Sequence, residues 1–275
     1  MASMPAGFTP ATQAWLDAAF AAPTLAQEQA WSAIATGEHV LVVAPTGSGK
    51  TLAAFLWALD QLHSTSIKPD PARRCRVLYV SPLKALAVDV DRNLRSPLAG
   101  IAQQAGRLGV EVPEVTVATR TGDTPAAERA RFAKAPADIL ITTPESLFLL
   151  LTSAGREALR GIDTVILDEV HAIAGTKRGA HLALSLERLD ALLAAPAQRI
   201  GLSATVRPIE DVAEWICPSQ PATIVCPPSH KQWDLRIEVP VDDMAALADG
   251  TGGRPGNGEV SGSAAGAEAQ SSIWP

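Results

Sequence analysis

Cysteine is scarce: three residues in 275, Cys75, Cys217 and Cys226, an odd number with no C-x-x-C pair. That excludes a disulfide scaffold and points to reduced structural thiols in a cytosolic protein. No apolar run approaches the length of a bilayer span. The N-terminal stretch MASMPAGFTPATQAW has neither a basic n-region nor an apolar h-region, so no secretory signal is expected. These absences predict a soluble, cytoplasmic protein with no membrane partner. Positive charge is also short, with 23 Lys+Arg against 29 Asp+Glu and a net charge of −6. A whole-domain electrostatic sponge for nucleic acid would carry the opposite sign. A local phosphate grip remains open.

What is present is apolar. Such residues make up 47% of the chain, beside 20 Gly and 21 Pro, which excludes collagen and wholesale disorder. The length allows a substantial core in one large domain or two small ones. Short apolar, β-branched runs recur at 39–44, 76–81, 115–119, 138–142, 164–168 and 199–203. They are continuous rather than alternating, which predicts strands buried on both faces. Between them, segments such as 51–62 and 180–193 carry apolar residues at three- and four-residue spacing, the pattern of amphipathic helices. The alternation predicts an α/β fold, a mostly parallel sheet with helices on both faces. Two further candidate strands lie at 223–226 and 235–239, and their place in that sheet is open. From 249 to 272 the chain is rich in Gly, Ala and Ser without apolar period, as in a flexible linker. An ordinary tail is the plainer alternative. A linker joins two folded units, so the chain is expected to be truncated.

The segment APTGSGKT (44–51) follows one strand run and opens a helix, the setting of a phosphate-binding loop. Gly47 and Gly49 allow Thr46, Gly47, Ser48 and Gly49 to turn backbone N–H groups around an anion, with the helix dipole behind them. Lys50 is then placed for the β- and γ-phosphates, and the Thr51 hydroxyl for Mg²⁺. Ala44 replaces the first glycine of the strict motif. TVILDEVH (164–171) sets Asp168 and Glu169 at another strand tip, where Asp168 suits a metal-holding role and Glu169 that of a base for water. An Asp-Glu capping pair is the plainer alternative. Gln27, in PTLAQ (23–27), has the paired donor and acceptor to read an adenine edge, or is a surface glutamine.

Two strand ends, SPLKAL (81–86) and TPESL (143–147), put a hydroxyl before Pro82 and Pro144, which predicts N-cap and N1 positions. In a parallel sheet these helix starts share the edge of the phosphate loop. They can grip nucleic-acid phosphates through backbone N–H groups, with Lys84 adding a charge and Arg120 of RTGDT (120–124) a further contact. Plain capping is the alternative for each.

The ordered set PTLAQ, APTGSGKT, SPLKAL, RTGD, TPESL, DEVH and SAT resembles the first RecA-like lobe of superfamily 2 helicases. DEVH with RGAHLALSLERL (178–189) and GLSATVRP (201–208) is similar to the large helicase-related (Lhr) group. The likeness runs over roughly residues 8–240. It implies a RecA-like P-loop NTPase that uses ATP and Mg²⁺ to move 3′-to-5′ along single-stranded or partly duplex nucleic acid, DNA or a DNA/RNA hybrid. By that likeness Gln27 reads adenine, Lys50 and Thr51 hold nucleotide and metal, and Asp168 and Glu169 are the Mg²⁺-holding and water-activating carboxylates. His171, Ser203 and Thr205 couple that site to the strand, and Pro82, Lys84, Arg120, Thr143 and Pro144 line its path. The likeness further implies a helicase ATP-binding domain over 1–240, a linker over 241–272, and the start of a second RecA-like lobe at 273–275. Without that lobe, a module that binds ATP and nucleic acid without useful turnover is the competing reading. A transporter ATPase would need an LSGGQ-like signature, which is absent from the sequence.

Overall fold

In the computed structural model, residues 7–64, 70–204, 206–220 and 222–228 are described. Helices α1 (Pro10–Ala19) and α2 (Leu25–Ile34) lead into strand β1 (Val40–Val43) and helix α3 (Lys50–Ser64). Next come β2 (Val77–Val80), α4 (Lys84–Leu108), β3 (Val117–Arg120), α5 (Ala126–Lys134), β4 (Ile139–Thr142) and α6 (Pro144–Leu151). The described chain finishes with β5 (Thr164–Leu167), α7 (Lys177–Asp190), β6 (Gln198–Ser203), α8 (Ile209–Ile216) and β7 (Thr223–Val225).

The strands form one sheet in the order β3-β4-β2-β5-β6-β1-β7, and every pairing is parallel. Successive residues of a strand face opposite sides of the sheet. Val40, Val42, Val77, Tyr79, Ile166 and Ile200 therefore pack with α1 to α4, whereas Leu41, Val43, Leu78, Val80, Val165 and Leu167 pack with α6 to α8. Both sides are apolar, which is why the runs read as continuous.

Of three expectations, two change and one left open is decided. β3 is only half-buried along its whole length, because it is an edge strand. β7 does join the sheet, as a parallel neighbour of β1; the run at 235–239 lies outside the described residues, as do 241–272 and 273–275. The third concerns SPLKAL. Ser81 is not an N-cap and Pro82 is not at N1, since α4 starts at Lys84 after an uncapped Leu83. The Ser81 N–H still donates to the Thr142 carbonyl at 2.9 Å, so sheet pairing persists past the last β2 residue and delays the helix. At α6, Thr143 and Pro144 do occupy N-cap and N1, but the Thr143 hydroxyl donates to Ser146 Oγ at 3.1 Å instead of accepting a backbone N–H.

Candidate nucleotide and nucleic-acid site

All parallel strands end at the same edge, so the motifs carried by their tips are brought together there. β1 runs into the phosphate loop, whose base is fixed by Ala44 N–H donating to the Ser203 carbonyl at 3.1 Å. Gly47 and Gly49 both adopt left-handed backbone, φ 81° and 80°. A Cβ on Gly49 would lie 2.4 Å from Gln27 Nε2, so glycine is required there for close approach as well as for conformation.

That neighbour belongs to a cap on α2. The Thr24 hydroxyl accepts from Gln27 N–H at 3.3 Å while Gln27 Oε1 accepts from Thr24 N–H at 2.9 Å, a capping box. The same two side chains reach the loop. Thr24 Oγ1 donates to the Ser48 carbonyl at 2.7 Å, and Gln27 Nε2 to the Gly49 carbonyl at 3.4 Å. Trp31 of α2 donates to the Ala53 carbonyl of α3 at 3.0 Å, which ties the two helices together. Gln27 is buried, and among the described residues its side chain spends one lone pair of Oε1 and one hydrogen of Nε2, leaving one of each, the pair an adenine edge needs. Thr24 was missed by the motif reading, although Thr-x-x-Gln before an apolar helix signals a capping box.

Opposite the loop, β5 delivers Asp168. It is buried, and its carboxyl is raised above the ordinary range, first by desolvation and then by neighbouring Glu169. Hydrogen bonds and the buried Lys50 ammonium act against that rise. Asp168 Oδ1 accepts the Glu169 N–H at 3.0 Å, and Oδ2 accepts the Tyr79 hydroxyl. Burial and the Asp168 charge push the Tyr79 phenol far above its usual value, so it stays a donor. No motif flagged Tyr79. The capping alternative for the acidic pair fails, since Glu169 makes no side-chain cap to the short turn after it.

His171 stands between two motifs. Its Nδ1 lies 3.2 Å from Glu169 Oε2 and also accepts the Ala204 N–H at 3.2 Å. One nitrogen cannot serve both at once: unprotonated it accepts from Ala204, protonated it donates to Glu169. Ser203 is fully buried and its hydroxyl donates to the Ala204 carbonyl at 2.8 Å, while Thr205 lies outside the described residues.

Toward the other side of the edge lie the residues expected along a nucleic-acid path. Lys84 does not extend as a free cation; its ammonium contacts both carboxylate oxygens of Asp123, at 2.8 and 2.9 Å, on an exposed bridge. Arg120 ends β3 and is half-buried, with burial and Arg129 drawing its pKa down. Pro82, Thr143 and Pro144 are buried at their strand ends.

Glycine-rich loop, opposed carboxylates and seven parallel strands together make a RecA-like P-loop lobe. The DEAD/DEAH box helicase model matches residues 24–212, and the chain belongs to that family. It is 62% identical over 240 residues to the Lhr helicase/probable uracil glycosylase of Mycolicibacterium smegmatis, covering 87% of this chain and 16% of that protein. With the Lhr helicase/uracil glycosylase of Escherichia coli the identity is 54%, over 99% of this chain and 18% of the relative. The chain thus spans under a fifth of the length of either. The structure of Mycobacterium smegmatis helicase Lhr bound to ssDNA and AMP-PNP superposes with a TM-score of 0.81 at 61% identity, over 88% of this chain and 31% of that one. Among the described residues no helix is long and apolar enough to cross a membrane.

Proposed function

We propose that the chain is the ATP-binding lobe of a DExH-type helicase or translocase that moves 3′-to-5′ along nucleic acid in the cytoplasm, its lobe spanning 1–240, its linker 241–272 and a second RecA-like lobe following. The observation that carries this reading is the convergence of a buried lysine, a buried strand-tip carboxylate and a histidine shared with the Ser203-Ala204 strand end. The loop also fits a nucleotide phosphate: Ser48 Oγ is buried and has no hydrogen-bond partner among the described residues. Thr46 to Gly49 and Lys50 would hold the phosphates, Gln27 the adenine, and Thr51 with Asp168 the Mg²⁺. Bound MgATP supplies a phosphoryl group whose hydrolysis releases the free energy for movement.

The chain's own groups account for the rest. Glu169 takes a proton from the attacking water, and His171 senses that change through the nitrogen it shares with Ala204. Arg120, Lys84 and the backbone around Pro82, Thr143 and Pro144 bind phosphates of the strand. The single-stranded DNA in the M. smegmatis Lhr structure supports DNA as the track, with a DNA/RNA hybrid as the variant. The intact trio Lys50, Asp168 and Glu169 favours turnover over a module that only binds.

Lys50→Ala is expected to weaken MgATP binding by at least about 100-fold in calorimetry, since it removes a charge-assisted contact from a buried site. Apo melting should barely change. Retained affinity would refute the phosphate-loop assignment.

A further inference from the structure

The chain has a single tyrosine, and the motif-based reading gives it no task. Tyr79 sits in β2, in the middle of the sheet between β4 and β5, with none of its surface exposed. Its ring stacks on Phe55 of α3, centroids 4.9 Å apart and planes inclined by 27°. Its backbone pairs with Ile166 of β5, two residues before Asp168, and its hydroxyl donates to Asp168 Oδ2. Since Oδ1 accepts the Glu169 N–H, each carboxylate oxygen of Asp168 already has one donor from this chain.

A carboxylate gripped at both oxygens has one rotamer, and its remaining lone pairs point in fixed directions. Mg²⁺ demands near-ideal octahedral geometry, so a ligand whose direction is set beforehand binds it better than a swinging one. Donors behind a ligating carboxylate commonly set metal affinity in this way. We propose that Tyr79 is a positioning residue for metal binding. Its hydroxyl orients Asp168, and its stack on Phe55 ties that orientation to the helix that begins with Lys50 and Thr51. The proposal rests on Asp168 being the Mg²⁺-holding carboxylate.

Tyr79→Phe removes the hydroxyl and keeps the ring, so packing against Phe55 survives. The test follows AMP-PNP binding to this chain by calorimetry, once in EDTA and once across a Mg²⁺ titration. Expected are metal-free affinity within about twofold of the parent and a Mg²⁺ half-saturation raised roughly 10-fold, the lower range for such supporting donors. Asp168→Asn is run beside it. An unchanged Mg²⁺ requirement in Tyr79→Phe, with a raised one in Asp168→Asn, overturns the positioning role alone. No change in either overturns the Asp168 assignment with it. Should Tyr79→Phe not fold, Phe55→Leu carries the test. It keeps the hydroxyl but loses the stack, and a smaller rise in Mg²⁺ requirement is expected. Wild-type behaviour there would overturn the link to α3.

Discussion

Glu169 is the one non-glycine residue with positive φ among the described residues, at 46°. A left-handed backbone at such a residue costs roughly 1–3 kcal/mol, and it persists only where the surroundings impose it. Here the imposing contacts are visible: its N–H is held by Asp168 Oδ1 and its carboxylate faces His171. The strained turn lifts the carboxylate away from the cap position it would otherwise fill and toward the site. Glu169→Gln keeps the shape and removes the proposed base. In a polypeptide that carries both lobes it is expected to bind MgATP within about twofold of the parent while hydrolysis falls by roughly 10²–10⁴-fold, the span general-base removal produces. Single-turnover kinetics would check this, and unchanged hydrolysis would move the base elsewhere.

At the scale of elements, the Lys84–Asp123 bridge joins the start of α4 to the loop after β3. Both partners are exposed, so the pair contributes at most about 1 kcal/mol to stability. Its larger effect is on charge. Asp123 occupies the ammonium that a nucleic-acid phosphate would use, so a strand must displace a carboxylate to reach Lys84. Asp123→Asn is expected to tighten single-stranded DNA binding about 2- to 5-fold at low salt, an advantage that shrinks as salt screens the contact. Fluorescence anisotropy at two salt concentrations reads both features. Equal affinity would mean that Lys84 does not touch the strand. This bridge was invisible to motif reading, because SPLKAL and RTGD lie 39 residues apart and nothing local pairs them. The start of α4 was misread for a related reason: a Ser-Pro pair carries the chemistry of a helix cap, but continued pairing of Ser81 with β4 decides that the strand goes on.

Across the whole molecule, two buried histidines give stability a pH dependence. His39 accepts the Arg199 N–H at 2.9 Å, and burial, then the Arg199 charge, hold its pKa below the ordinary 6.5. His63 is lowered mainly by burial, against the nearby Asp60 charge, and its Nδ1 has no hydrogen-bond partner among the described residues. Each folded value lies below the unfolded one, so the unfolded chain binds more protons between them. Their contribution is complete above about pH 6.5 and is lost as pH falls through that value toward the folded ones. The melting temperature should drop between pH 7 and 5, and His39→Asn, which keeps an acceptor for Arg199, should flatten the drop. An identical pH profile would rule out His39 as a contributor.

The sequence alone determined the parts whose signal is local. Apolar runs spaced by amphipathic helices specify a mostly parallel sheet with helices on both faces, because a strand covered on both faces is apolar throughout; that every pairing is parallel is decided by the tertiary structure. Gly47, Gly49 and Lys50 between a strand and a helix specify a phosphate loop, because few other residues tolerate that backbone. Only the tertiary structure decided what depends on neighbours distant in the chain. Tyr79 and Asp168 meet because β2 and β5 are adjacent, Lys84 is neutralised by a loop from the sheet edge, and Gln27 faces Gly49 because α2 packs on α3. Side-chain type predicts what a residue can do, but strand order and helix packing choose its partner, and the partner sets its charge, its orientation and its task.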